Sequence, residues 1–157
     1  MSSTQGGSQE GAVAYMQMQK ETADKLNPIL GTHLQFTSFD NVSTIIYSGE
    51  AKDLTGDDLT NIRNGMEPRS MTRLYDTVIE TLTEQMKRLD AKKLALAKSV
   101  RDTIKDNPWM IGASCAIMTD GMDNCSEHTE EDCKNLIAPS SSYTCTLSPQ
   151  CAALAPL

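Results

Sequence analysis

Residues 69–106 carry the sequence feature that most constrains the fold. No glycine or proline interrupts this stretch between Arg69 and Asn107, and apolar residues recur at steps of three and four, as along one face of an α-helix. The pattern predicts a single helix of about 35 residues. With a rise of about 1.5 Å per residue, such a helix would be roughly 55 Å long, which exceeds the usual width of a domain of this mass.

The apolar stripe of the predicted helix is a candidate interface. Because the helix would extend beyond a small core, part of the stripe should contact another protein or a second copy of the chain, as in a coiled coil. The alternative is that the stripe packs inside the chain as ordinary core. The candidate interface residues are Met71, Val78, Leu82, Met86, Leu89 and Leu96.

The second half of the predicted helix is basic. Between positions 87 and 105 it holds seven lysines and arginines, against three aspartates between 90 and 106. A solvated helix face explains such a run, and part of the charge favours the helix C-terminus through its dipole. The other interpretation is that the basic stretch meets the acidic residues 119–133, within the chain or between subunits.

The rest of the chain predicts a mainly α fold around this helix. Residues 1–11 have no periodicity and are predicted to be a disordered tail. A shorter helix should run from Ala12 to about Leu26 and pack antiparallel to the long one. Asn107-Pro108 has the form of a helix start and predicts a further helix up to residue 118. Residues 12–118 would then form one helical core domain.

Residues 30–49 are compatible with two structures. Leu34, Phe36 and Ser38 alternate on one face, and a β-branched run follows Asp40-Asn41, so a small β-hairpin with a two-residue turn fits. An irregular loop with a short helix fits about as well.

Two short helices are marked by their first residues. Thr55 with Asp58, and Thr129 with Asp132, have the three-residue spacing at which a threonine and an acid cap a helix start reciprocally. We expect a helix after each pair.

Residues 119–157 are predicted to form an acidic, cysteine-containing and otherwise irregular C-terminal segment. Within it, the sequence CSEHTEEDC (125–133) supplies three weak candidate metal ligands, Cys125, His128 and Cys133. Their spacing lacks the paired short intervals of zinc sites. Disulfide closure, or thiols buried as small apolar groups, are the competing interpretations. The disulfide candidates are Cys115, Cys125, Cys133, Cys145 and Cys151.

The sequence offers little for catalysis. Its two histidines, His33 and His128, lie in none of the sequence patterns of nucleophilic or metal-dependent hydrolases, and glycine-rich phosphate loops are absent. Adjacent carboxylates such as Asp57-Asp58 fit helix caps and solubilising charge. We expect neither enzymatic activity nor a cofactor.

Charge and hydropathy limit the classes of molecule that the chain is expected to bind. The formal net charge of −7 disfavours nonspecific binding to nucleic acid or anionic lipid. The longest apolar run, about ten residues, is half of what a membrane-spanning helix needs. The polar N-terminus does not resemble a cleavable secretory signal, which leaves the cytoplasm as the default compartment, or an exported or virion assembly.

These patterns predict a non-catalytic structural subunit or adaptor of a larger protein assembly, acting through helix–helix packing. Its partners would be proteins, by self-association or in a multi-subunit complex. Two alternatives stay open. One is a small acidic chaperone or regulatory protein that binds a helical client, and the other is a metal- or redox-responsive Cys/His module.

Overall fold

The computed structural model describes residues 3–26, 31–66, 71–106, 113–117, 119, 122–137 and 143–147. The chain divides into two compact units, Met1–Ser70 and Met71–Leu157. The predicted boundaries at positions 11/12 and 118/119 both fall inside these units.

The first unit is an α/β arrangement of two helices and a hairpin. Its helix α1 begins earlier than the predicted Ala12, and a single 3-10 turn at Ala51–Asp53 joins the hairpin to α2. In chain order the elements are α1 (Ser3–Leu26), β1 (His33–Phe39), β2 (Ser43–Glu50) and α2 (Gly56–Asn64).

The hairpin is the structure that residues 33–50 adopt. Strands β1 and β2 pair antiparallel, with a bulge between Phe36 and Thr37. The connection has three residues rather than two, because the Asp40 carboxylate accepts the backbone N–H of Val42 at 2.9 Å and closes a small turn of its own. One face of the sheet contributes to the core, since Leu34 is buried.

The core of the first unit forms where α1, the hairpin and α2 meet. Its residues are small or aliphatic, which lets the elements approach closely. The predicted capping box is confirmed: Thr55 Oγ1 accepts the N–H of Asp58 at 3.2 Å, and the Asp58 carboxylate accepts the N–H of Thr55 at 2.8 Å. The buried apolar residues are Ala12, Val13, Met16, Leu34, Ala51, Leu54 and Ile62.

The second unit combines three helices with two parallel strands. Strands β3 and β4 pair in parallel and in register from Ala113 with Tyr143 to Ile117 with Leu147. Parallel neighbours need a long crossover, and α5 lies within it. The elements are α3 (Leu74–Leu94), α4 (Lys98–Asp106), β3 (Ala113–Ile117), α5 (Glu130–Ile137) and β4 (Tyr143–Leu147).

The predicted mainly α fold with one helix of about 35 residues is wrong. Residues 69–106 contain two helices, α3 with 21 residues and α4 with nine, separated by residues 95–97. The buried residues of α3 all lie between Leu74 and Leu82. Helical stability in proteins comes mainly from packing, so the strong helix formers beyond Leu82 lack the support that would keep one axis through Ala95.

The predicted helix after Pro108 and the predicted irregular tail are also corrected. Residues 113–117 form a strand, and so do residues 143–147. The start of that predicted helix, residues 107–112, lies outside the described residues. Each strand finds its partner some thirty positions away, so no local periodicity marks either one.

The core of the second unit lies between α3, α5 and β3. Leu74, Val78 and Leu82 come from α3, and Ile117 and Cys133 come from the other two elements. None of the helices in the described ranges is long and apolar enough to cross a membrane.

Candidate functional site

The N-terminus of α3 is capped from a distance. Residue Arg73, at the N-cap position, makes no side-chain cap hydrogen bond. Instead Asp123 Oδ1 accepts the N–H groups of Leu74 and Tyr75 at 2.8 and 3.3 Å, and Ser126 Oγ accepts the N–H of Asp76 at 3.1 Å. These N–H groups have no partner within the helix. Residues 122–129, which we call the capping loop, therefore complete α3.

The capping loop is also tied to the residue before the helix. Asn124 Oδ1 accepts the N–H of Thr72 at 2.8 Å, and the N–H of Asn124 donates to the carbonyl of Thr72 at 3.0 Å. The two bonds imitate a strand pair. They hold the loop on α3 independently of Asp123.

Asp76 is the centre of this contact. Its side chain is 1% exposed. Its Oδ1 accepts the backbone N–H and the ring Nδ1 of His128 at 2.8 and 2.7 Å, while its Oδ2 accepts the N–H of Glu127 at 2.9 Å and faces Arg73 Nε at 3.0 Å. A buried carboxylate needs this degree of compensation.

These contacts keep Asp76 ionised. Burial alone would raise the pKa of its carboxyl. The hydrogen bonds from Glu127 and His128 and the charge of Arg73 outweigh burial and lower the pKa to about 2. The favourable position of an anion in the first turn of a helix acts in the same direction. Asp76 therefore carries a full negative charge at neutral pH.

His128 is the exposed member of this pair. Its side chain is 49% exposed, and Nδ1 points to Asp76. A carboxylate that fixes one ring nitrogen can orient the other for proton transfer or metal binding. In the described part of the chain, however, no nucleophile is hydrogen-bonded to Nε2, and Ser126 donates its hydroxyl proton to Asp123. The hydrogen bonds between His128 and Asp76 support a structural role for His128.

The three metal candidates occupy different environments. Cys133 is fully buried on α5, with its sulfur 3.6 Å from the carbonyl oxygen of Tyr75. Cys125 is partly buried and His128 is bonded to Asp76. Among the residues that the structure describes, no three His, Cys, Asp or Glu side chains are arranged to hold a metal ion.

The disulfide candidates are spread over the second unit. Cys115 on β3 lies opposite Cys145 on β4 in the strand register. No disulfide links any two of Cys115, Cys125 and Cys133. Cys151 and the side chain of Cys145 lie outside the described residues.

The candidate interface divides into a buried and an accessible part. Val78 and Leu82 are core residues, each 4% exposed. Met71 is exposed, whereas Met86, Leu89 and Leu96 are partly exposed. The predicted stripe is thus not one continuous surface.

Residues 86–106, which we call the basic arm, include the least packed helix of the second unit. All eight described side chains of α4 are exposed. Leu94 at the end of α3 is 72% exposed and Val100 on α4 is 41% exposed. Of the seven basic residues, only Arg88 forms an ion pair with another described residue, Glu84, at 3.4 Å.

The structure adds site residues that the sequence did not indicate. Asp76 was not recognised from the sequence because acids are common in the first turn of a helix. Asp123 and Ser126 were not recognised because they accept hydrogen bonds from residues about fifty positions away. The apolar stripe did not mark Asp76 either, because on a helix a residue two positions after Leu74 and two before Val78 faces away from both. No protein-family model, curated protein or solved structure was found to match this chain.

Proposed function

We propose that this protein is a non-catalytic subunit or adaptor of a larger protein assembly, which it joins through helix–helix packing of the basic arm. The observation that carries the proposal is the exposure of α4. The eight described side chains of this nine-residue helix are all exposed, so they contribute little apolar burial to stabilise it. A partner surface would supply that burial.

Apolar side chains of the arm provide the packing surface. Leu94 and Val100 are accessible, and Met86 and Leu89 on the preceding turns are only partly covered. Accessible apolar residues on neighbouring turns favour a protein contact over solvent. Methionine also adapts its shape to a partner.

The charge of the arm favours an acidic partner. Six of its seven basic side chains make no ion pair with described residues, namely Lys87, Lys92, Lys93, Lys98, Arg101 and Lys105. Nucleic acid is a poorer fit, because the chain as a whole is strongly acidic and Asp90, Asp102 and Asp106 interrupt the arm. An acidic protein surface with apolar positions matches both features.

Size measurement in native extracts tests this proposal. We would fractionate extracts of cells that produce the full chain and determine the mass of the complex that contains it. A complex heavier than two copies of the 17.2 kDa chain is expected, and L94D/V100D should leave it. Recovery of the wild-type chain at the mass of one or two copies would overturn the proposal.

A matched variant separates lost contact from lost folding. V42D/I45D makes the same two apolar-to-aspartate changes at exposed positions of the first unit. It should stay in the complex. Because Leu94 and Val100 are exposed, the far-UV circular dichroism of L94D/V100D should equal that of the wild type. If both variants stay in the complex, the arm is not its contact surface.

A further inference from the structure

We infer that Cys115 and Cys145 form a disulfide bond when the chain meets a low-molecular-weight disulfide, and that this bond fixes both ends of the segment that caps α3. The inference goes beyond the proposed function, because it concerns two strands inside the second unit and not a surface for a partner. Its basis is the register of β3 and β4, in which Cys115 and Cys145 are direct Cα partners.

The strand register brings the two cysteines within the range of a disulfide. Neighbouring strands of a sheet lie about 4.8 Å apart, and the Cα atoms of disulfide-linked cysteines are separated by about 4.4–6.8 Å. Directly paired residues of two strands also lie on the same face of the sheet. Cys115 and Cys145 are the central pair of β3 and β4, with the register continuous on both sides. The backbone therefore meets the geometric requirements for this bond.

The other described cysteines are placed less well for oxidation together with Cys115. Cys133 is fully buried on α5, with its sulfur 3.6 Å from the carbonyl oxygen of Tyr75. Buried structural thiols are inert because an oxidant does not reach them. Cys125 belongs to the capping loop, and the strand register pairs neither Cys125 nor Cys133 with Cys115. Cys145 is thus the partner that the fold assigns to Cys115.

The bond forms by thiol–disulfide exchange with a small disulfide such as oxidised glutathione. Cys115 is partly exposed, so a small molecule reaches its sulfur. The Cys115 thiolate attacks one sulfur of the small disulfide, which gives a mixed disulfide and releases one glutathione. The Cys145 thiolate then attacks the Cys115 sulfur and releases the second glutathione. The two cysteines together lose two electrons, the small disulfide gains them, and the two thiol protons end on the two glutathione molecules.

The bond joins the two ends of the crossover that caps α3. The capping loop and α5 both lie between β3 and β4 in the chain. This crossover contacts α3 through the hydrogen bonds that Glu127 and His128 donate to Asp76. A crosslink that closes a loop of roughly thirty residues restricts the unfolded chain more than the folded one. Oxidation therefore favours the state in which the capping loop and α5 stay on α3, and reduction removes the constraint.

Peptide mapping of the purified full chain tests the pairing. We would reduce the chain, remove the reductant and incubate it with oxidised glutathione. The remaining thiols would then be alkylated in denaturant, and the chain digested without reduction. Cleavage after acidic residues, leucine and tyrosine places all five cysteines on separate peptides. We expect the peptides of Cys115 and Cys145 to be recovered joined to each other, and the peptide of Cys133 to be recovered alkylated.

The control is C125S, which removes another partly buried thiol of the same unit. It should retain the joined peptides, whereas C115S and C145S should lose them and form no other disulfide within the chain. The map of the wild type requires no variant, so it decides the pairing even where a substitution impairs folding.

Hydrogen exchange measures the effect of the bond on the crossover. The amides of residues 130–137 in α5 should exchange at least about tenfold more slowly in the oxidised wild type than in the reduced one. C125S should show the same difference. C115S should exchange equally fast with and without oxidised glutathione.

Two results would overturn the inference. One is a map in which Cys115 is joined to a different cysteine of the chain, or in which Cys115 and Cys145 are not joined after oxidation. The other is a joined pair that leaves the exchange of α5 unchanged. Neither result bears on the proposed function, because residues 86–106 contain no cysteine.

Discussion

The two halves of the stretch 69–106 share one sequence pattern but have opposite environments. From Leu74 to Leu82, α3 is buried against α5 and β3 and is capped by a loop from far along the chain. From Met86 onward, the apolar positions are only partly covered and the charges are largely unpaired. The periodicity that predicts packing does not say whether the packing partner lies inside or outside the chain.

The difference teaches how a short helix is stabilised. The first half of α3 has apolar contacts, a cap and a compensated buried charge, each supplied by another element of the same unit. The basic arm has no fully buried side chain among its described residues, and there the helix breaks at residues 95–97. Where packing ends, helix propensity alone does not maintain a straight helix.

Among substitutions that distinguish the two halves of residues 69–106, replacement of Asp76 should change the free energy of unfolding most. D76A leaves the N–H groups of Glu127 and His128 without their acceptor. It also removes one of the two carboxylates that pair with Arg73, the other being Glu80 at 2.8 Å. We expect a loss of about 3–5 kcal/mol in the free energy of unfolding. D90A, at an exposed position of the same helix, should change it by less than about 0.5 kcal/mol. Urea denaturation, with hydrogen exchange of residues 74–94 to identify the affected unit, measures both. Equal effects would refute the role of Asp76.

Truncation of one leucine in each half sharpens the comparison. L82A removes a side chain that is 4% exposed and should cost about 2–4 kcal/mol, through lost burial and a cavity. L94A should cost less than about 0.5 kcal/mol in the isolated chain. Comparable losses in urea denaturation would mean that the arm is packed within its own copy.

Lowering the pH should destabilise the folded chain by protonating the same carboxylate, that of Asp76 in the first half of α3. The pKa of Asp76 is about 2 in the folded chain and 3.8 for an ordinary aspartate. A lowered pKa stabilises the folded state above the unfolded value, and that stability is lost as the pH falls from about 4 to about 2. The loss should be about 2 kcal/mol. Urea denaturation at each pH should show this slope in the wild type and a flatter one in D76N. Identical slopes would contradict the assignment.

Loss of the cap that Asp123 provides to α3 should have the smallest effect on the free energy of unfolding. D123A removes the acceptor of the Leu74 and Tyr75 N–H groups and should cost about 1 kcal/mol, whereas D123N keeps an oxygen there and should cost only a few tenths. Amide exchange at residues 74–76 measures the difference directly. If D123N and D123A exchange equally fast, the carboxylate acts through its charge and not as a cap.

Local features of the fold could be predicted from the sequence. The capping box of Thr55 and Asp58 lies within four residues, and so does that of Thr129 and Asp132, where the carboxylate accepts the N–H of Thr129 at 2.7 Å. The ion pair of Glu84 with Arg88, at 3.4 Å, likewise joins residues four positions apart on one helix. Each depends only on residues that a single helical turn brings together.

Other features could not be predicted because their partners are distant. The turn at Asp40 has three residues because a side chain competes with the backbone for one N–H. The parallel pair β3 and β4 depends on a crossover, and five alternating residues in each strand leave the pairing undetermined. The function of Asp76 depends on residues fifty positions away.

The sequence by itself determined the starts of α2 and α5, the amphipathic character of residues 74–106 and the separation of basic from acidic stretches, because short-range chemistry sets them. Tertiary structure alone decided which part of the apolar stripe is core, where α3 ends and which groups compensate the buried charge of Asp76. Those outcomes depend on which surfaces exclude water from each other, and a surface is assembled from segments that only folding brings together.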